Sequence, residues 1–306
     1  ALTAFIGGAT DGRNVVVRTG TLDDDGNALF RIVNTIIGQD AVAPGSFCQT
    51  DKEPLFLTDR GVFAITAEEL TGEKYSQERS YYIGSAIRAA AGHSAASACI
   101  YGDFYVLALD GTLYLLDLQQ KTYERNSPYS SFQYECYCWP DIPARVVFTD
   151  GEGALCFGTA DGRLCRFSRA VESPMAYNDD GAAIDAYWET ADYDGELFFR
   201  VKTFTGVAVR LAASPVTGVK VHARVRGIWQ QVFDAKGKAR YFDFAYVDFE
   251  KFSFSADKTP RTLYGKVKLK KVDKVSFRLQ NSELNEPFGL YAFGVQWKES
   301  GGNYKR

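Results

Sequence analysis

Four carboxylates crowd into the eight residues 189-ETADYDGE-196: Glu189, Asp192, Asp194 and Glu196. Clustered carboxylate oxygens are the ligands that a hard cation such as Ca²⁺ selects. The segment lacks the full EF-hand loop, so it reads first as a solvated turn and second as a metal site. The acidic run 23-DDDGN-27 reads the same way. Six cysteines (Cys48, Cys99, Cys136, Cys138, Cys156 and Cys165) are scattered through apolar stretches, and there are two histidines, His93 and His222. Zinc sites need closely spaced ligand pairs, and only Cys136 and Cys138 come near. In a strand that spacing puts both thiols on one face. Free, buried thiols in a reducing compartment are expected ahead of a disulfide or a metal. No nucleophile elbow, phosphate loop or zinc motif accompanies these residues, and neither histidine has an obvious partner. The expectation is a protein with no catalytic residues, no cofactor and no enzymatic activity.

Four further aspartates are better explained by the elements that must hold them. Asp11, Asp59, Asp110 and Asp161 lie in 5-FIGGATDGRNVVVRT-19, 55-LFLTDRGVFAIT-66, 105-YVLALDGTLYLLDL-118 and 155-LCFGTADGRLCRF-167. Each stretch is a pair of apolar runs about a glycine: Gly12, Gly61, Gly111 or Gly162, at intervals of 49, 50 and 51 residues. Asp-Gly favours a type I′ hairpin, whose two central residues both need φ > 0. The 59-DRG-61 version suits a three-residue loop with a left-handed glycine. Closing Asp110-Gly111 as a two-residue turn opposes Leu109 with Thr112, Leu107 with Tyr114 and Val106 with Leu115. Both faces are then apolar, as in a strand pair covered on two sides. A β-hairpin repeated every 50 residues or so is the period of a kelch-type β-propeller blade. The stretch 101-YGDFYVLALDGTLYLLDLQQKTYE-124 resembles a kelch blade, although the kelch diglycine is missing. The Ser and Trp that flank a sialidase Asp-box are missing as well. About four blades are visible. The first begins inside its hairpin, so the chain is expected to be trimmed or incomplete, or to complete that blade with a later strand.

Eighteen Tyr and 22 Phe against one Met favour strands throughout. No apolar run approaches the roughly 18 residues of a membrane-spanning helix. The charge is uneven: residues 1–182 carry 14 Lys/Arg against 24 Asp/Glu, and residues 183–306 carry 21 against 14. That shift, near the loop-like 178-NDDG-181, predicts a propeller-like domain over 1–180 and a second domain over 181–306. It also permits head-to-tail association of copies. In 218-GVKVHARV-225 and 266-KVKLKKVDKVSFRL-279 apolar and polar residues alternate, the mark of strands with one buried face. Together with 197–212, 240–254 and 288–297, these runs predict an antiparallel β-sandwich of jelly-roll or immunoglobulin-like type. The outward Lys266, Lys268, Lys270, Lys271 and Lys274 read as a solvated face, with non-specific contact to packaged DNA as the alternative.

Three stretches in order, 44-PGSFCQTDKEPLFLTDRGVFAIT-66, then 103–126 with 154–168, then the ending 276-SFRLQNSELNEPFGLYAFGVQWKESGGNYKR-306, resemble tailed-bacteriophage virion proteins. Their layout is similar to tail-hub, nozzle and packaged-DNA stabilisation proteins, which pair a propeller with a terminal β-sandwich. The resemblance implies a structural protein made in the bacterial cytoplasm and located in the virion. It would form a ring-like homo-oligomer that joins or seals the DNA conduit and docks neighbouring head or tail proteins. The alternatives are a receptor- or glycan-binding propeller, and a propeller glycosidase with a carboxylate pair at its axis.

Overall fold

The structure is a computed structural model that describes residues 2–5, 15–36, 42–67, 74–123, 131–170, 173–195, 200–235, 240–247, 249–250 and 253–303. The fold is all-β: among the described residues the strands form six sheets whose strand pairs are antiparallel, beside one short α-helix, Gly84–Ala89, and a few 3₁₀ turns. The chain divides into two compact units, Ala1–Phe167 and Ser168–Arg306, a division that falls before the charge boundary near residue 180.

In the N-terminal unit each sheet is a meander of consecutive strands. The first is β1 (Leu2–Phe5), β2 (Val15–Leu22) and β3 (Ala28–Ile36); the second is β4 (Cys48–Gln49), β5 (Pro54–Thr58), β6 (Gly61–Ala67) and β7 (Lys74–Glu78). The third is β8 (Ser97–Tyr101), β9 (Phe104–Leu109), β10 (Thr112–Tyr123) and β11 (Phe132–Trp139), and the fourth is β12 (Ala144–Thr149), β13 (Leu155–Thr159) and β14 (Leu164–Arg166).

The turns follow from local chemistry, and each solves the problem differently. Asp110 and Gly111 have φ of 50° and 74°, as a type I′ turn demands, and Leu109 opposes Thr112. Thr58 opposes Gly61, so Asp59-Arg60 is a two-residue link and not the three-residue loop expected. The Thr58 hydroxyl accepts from the Arg60 N–H at 3.2 Å, which closes the link without a left-handed residue at 59 or 60. The three-residue loop occurs instead at 160-ADG-162, where the Thr159 N–H donates to the Arg163 carbonyl and Gly162 takes φ 84°. Strands β1 and β2 pair, but Asp11 and Gly12 lie outside the described residues.

The third sheet is buried on both faces. Tyr105, Leu107, Leu109, Tyr114 and Leu116 pack with Leu55, Leu57, Val62 and Ala64 of the second sheet. On the opposite face Val106, Ala108, Leu113 and Leu115 pack with Ala144, Val147, Leu155 and Phe157 of the fourth. Each buried Leu, Val or Phe among them contributes roughly 1.5–3 kcal/mol, so successive meanders hold one another in place. A polar latch adds to this. Arg79, 0% exposed, forms a two-pronged ion pair with Glu53, 6% exposed, with both N···O distances 2.8 Å. Its third nitrogen donates to the Gln77 side chain and the Phe132 carbonyl, the Tyr134 hydroxyl donates to Glu53, and the guanidinium lies 3.7 Å from the Phe132 ring centre. Second and third sheets are thus tied through β11.

The C-terminal unit places two sheets over one core. One is β15 (Ala186–Glu189), β20 (Ser276–Asn281), β17 (Lys220–Val225) and β18 (Ile228–Asp234), in that order; the other is β19 (Arg261–Val272), β16 (Arg200–Leu211) and β21 (Leu290–Asn303). Phe204, Val207, Val209 and Leu211 of β16 meet Val221 and Ala223 of β17 and Phe277 and Leu279 of β20. The alternation of β19 works as its period demands: Leu263, Val267 and Leu269 point in while Tyr264, Lys266, Lys268 and Lys270 point out. The same alternation puts position 265 on the inner face, where glycine leaves room for the Phe233 ring; a Cβ there would sit 2.3 Å from it.

The run 240–254 is not a strand. Its described residues form a 3₁₀ turn, Phe244–Tyr246, within irregular chain. Alternation of aromatic and polar residues does not make it a strand: Phe244, Phe249 and Phe254 stay in solvent, while Tyr241, Phe242 and Tyr246 are partly buried. Likewise the run 266–279 spans two strands: β19 ends at Val272, just after Lys271 adopts φ 54° within it, and β20 begins at Ser276.

Candidate interaction surfaces

The described carboxylates of 189–196, those of Glu189, Asp192 and Asp194, do not converge on a common point. Glu189 ends strand β15 instead of lying in a turn, and the Arg278 Nε donates to it at 2.6 Å. Asp192 accepts from Lys274 Nζ at 2.6 Å and from the Ser276 hydroxyl at 2.5 Å, with Arg224 at 3.7 Å. The hydrogen bond from Lys274, then that from Ser276, holds its carboxyl below the usual carboxylate range. Asp194 is half-buried, and Glu196 lies outside the described residues. Among the described residues no group of three or more His, Cys, Asp or Glu is placed to hold a metal ion. In 23-DDDGN-27 the Asp23 carboxylate accepts from the Asn27 and Asp25 N–H groups, and Asp150 does the same for Ala154 and Glu152. These aspartates are occupied in closing turns. The Asp110 carboxylate accepts from the Ala91 N–H at 2.9 Å. The Asp161 carboxylate accepts from the Thr159 hydroxyl and pairs with Arg163.

The six thiols are free. Burial pushes Cys48 and Cys99 up to about 11 and Cys136 up to about 12. His93 sets Nε2 2.9 Å from the Ile87 carbonyl, a structural role.

Two surfaces of the C-terminal unit remain. The first is the outer face of the β15–β20–β17–β18 sheet. Register puts Glu189, Arg278, His222 and Gln231 in one row across the four strands, and Ser276, Arg224 and Trp229 in the next. Arg278 lies 4.9 Å from the Tyr187 ring centre and 4.7 Å from that of Trp229, with Arg224 5.3 Å from Trp229. Cations over aromatic faces attract through the ring quadrupole, so the guanidinium planes and rings form a continuous platform. His222 sits within it, its Nδ1 buried without a hydrogen-bond partner. Burial, then Arg278 and Lys220, lowers its pKa and keeps the ring neutral. The outward alternation of β17 was legible in sequence; the Arg–aromatic stacking was not, because its members come from three separate segments.

The second surface is the arm between β18 and β19. It is anchored where buried Arg240 donates to Glu286 at 3.1 Å and to the Thr217 carbonyl at 3.0 Å. It is anchored again where Arg261 meets Ser255 and Asp257. Between these points Phe244, Phe249 and Phe254 are 88%, 90% and 91% exposed. Of the five lysines read as one face, Lys266, Lys268 and Lys270 share the outer side of β19, Lys271 sits at an irregularity near its end with φ 54°, and Lys274 pairs with Asp192. No helix in the described residues is long and apolar enough to cross a membrane.

No protein-family model matches the chain, and no curated protein does. Solved structures that align include an exo-β-1,3-galactanase from Phanerochaete chrysosporium with galactose, at 11% identity over 96% of this chain and 68% of that one, with a TM-score of 0.22. The infectious bursal disease virus Gx strain aligns at 10% identity over 97% of this chain and 69% of that one, with a TM-score of 0.18. At such TM-scores neither fold nor activity carries over to this chain.

Proposed function

We propose that the chain is a non-enzymatic structural component of a tailed-phage virion, assembling into a ring-like homo-oligomer at the neck or tail hub. In this reading the N-terminal unit is a kelch-like propeller segment and the C-terminal unit a β-sandwich. Consecutive meanders that cover each other's faces support the first assignment. Two sheets over one core support the second. The observation that carries the functional reading is the exposure of Phe244, Phe249 and Phe254. Three large apolar side chains exposed on one segment are read here as an interaction site. Sedimentation of the 306-residue chain over a wide concentration range, with mass spectrometry of purified particles, tests the reading. Self-association and presence in virions are expected; a monomer at high concentration that is missing from particles would overturn it.

A second reading, a glycan-binding module, is favoured by the Tyr187–Arg278–Trp229 platform, since stacked rings beside hydrogen-bonding cations suit sugar faces. Glycan-array binding lost in Trp229→Ala would support it, and a blank array would dismiss it.

A further inference from the structure

We infer that the outer face of the β19–β16–β21 sheet holds the phosphate backbone of a nucleic-acid duplex, without sequence preference. The inference goes beyond the assembly reading and does not depend on it.

The C-terminal unit presents two outer sheet faces, and their charges are balanced differently. On the β15–β20–β17–β18 face the cations have carboxylate partners: Arg278 meets Glu189, Lys220 meets Glu283, and Lys274 and Arg224 meet Asp192. On the other sheet, alternation turns Lys266, Lys268 and Lys270 of β19, Arg210 of β16 and Lys298 of β21 away from the core, all of them exposed. Residues 203–210, 262–270 and 292–298 contain no Asp or Glu at all. Among the described residues no carboxylate pairs with these four lysines. Residues 183–306 carry 21 Lys/Arg against 14 Asp/Glu, and five of those cations stand together on this face.

The chemistry of the face selects its occupant. Protein interfaces are depleted of Lys and gather around an apolar, aromatic centre. Here the row Tyr264–Ala208–Gly294 and the neighbouring Gly206 make a low floor, open above Gly294, where a Cβ would meet nothing within 4 Å. Surfaces that bind nucleic acid are more polar and far more positive than those that bind protein. A single strand would need successive rings on which to stack its bases. Tyr264 is one ring, so a duplex backbone fits better. Lys266 and Lys270 are four residues apart, about 13 Å along an extended strand, which spans roughly four phosphates of one DNA strand. Lys298 stands two strands away, about 10 Å across the sheet. Neutralising one phosphate per cation gives a slope of about −4.5 for log K against log salt, a loss of roughly 500-fold between 50 and 200 mM.

Fluorescence anisotropy of the whole chain with short labelled DNA duplexes of two unrelated sequences tests this, each variant first checked for an unchanged unfolding midpoint. The wild type should bind both duplexes alike, with the steep salt slope above. Lys266→Gln/Lys268→Gln removes two contacts, so the slope should flatten to about −2.7 and binding at low salt should weaken at least tenfold. Lys220→Gln/Lys274→Gln makes the same change in net charge on the paired face and should leave both quantities unchanged. No binding by the wild type at low salt, equal weakening by the two variant pairs, or a tenfold preference for one sequence would each overturn the inference. So would altered sedimentation of Lys266→Gln/Lys268→Gln with duplex binding intact, which would assign the face to another copy of the chain. A wild type that binds duplex yet stays monomeric and is missing from particles would sink the assembly reading and leave this inference standing.

Discussion

Replacing Arg79 with Met probes whether the buried latch holds the second and third sheets together. The substitution removes both ion-pair hydrogen bonds to Glu53, the bonds to Gln77 and to the Phe132 carbonyl, and the cation over the Phe132 ring. Glu53 is left with the Tyr134 hydroxyl as its remaining side-chain donor among these groups, at 6% exposure. Breaking a buried pair by removing one partner costs about 3–5 kcal/mol, chiefly through the uncompensated charge. That is a large share of the roughly 5–15 kcal/mol that keeps a domain folded. With an m-value of about 2 kcal/mol/M, the urea midpoint should fall by about 1.5–2.5 M. The chain has two units, so a single overall transition would mix them. Pulsed hydrogen exchange against urea, read on peptides covering β5, β6 and β11, follows the N-terminal unit by itself. Adding Glu53→Gln to Arg79→Met removes the stranded charge yet keeps an acceptor for Tyr134, and should recover at least half the loss. A cost below about 1 kcal/mol for Arg79→Met, or further destabilisation in the double variant, would refute the argument.

Gly265→Ala should destabilise the C-terminal unit by about 1–3 kcal/mol, since the new methyl would collide with Phe233; an unchanged unfolding midpoint would show that the ring moves aside freely. His222 is held neutral by burial, then by Arg278 and Lys220, so its folded pKa lies below the ordinary 6.5. The unfolded chain therefore binds the proton first, and stability falls as pH drops from above 6.5 toward the lowered value. His222→Gln should flatten the stability profile in that window, and an unaltered slope between pH 7 and 5 would count against the assignment. With thiols raised to about 11 at Cys48 and Cys99 and about 12 at Cys136, labelling of these three by a thiol reagent at pH 8 should await unfolding. Rapid modification of native Cys48 or Cys99, located by peptide mapping, would contradict their burial.

The amino-acid order alone determined those features whose physics is local. Asp110-Gly111 specifies a left-handed pair of residues and with it the register of β9 on β10. The doubly apolar faces of that hairpin announce burial on both sides, and packing against the second and fourth sheets supplies it. The alternating lysines of β19 specify one wet face and one dry face. Tertiary structure decided what depends on residues far apart in the chain. Whether 240–254 is a strand is not decided by its alternation: its described residues form a 3₁₀ turn within irregular chain. Whether 189–196 is a cation site turns on which charges face it, and Arg278, Lys274 and Arg224 arrive from β20, from the turn before it and from β17. The Arg79–Glu53 latch and the Arg278–Trp229 stack are invisible to any window of sequence, because an ion pair or a cation over a ring is a relation in space. Dihedral preference and side-chain period act between neighbours, whereas charge pairing, ring stacking and surface complementarity act across whatever the fold brings together.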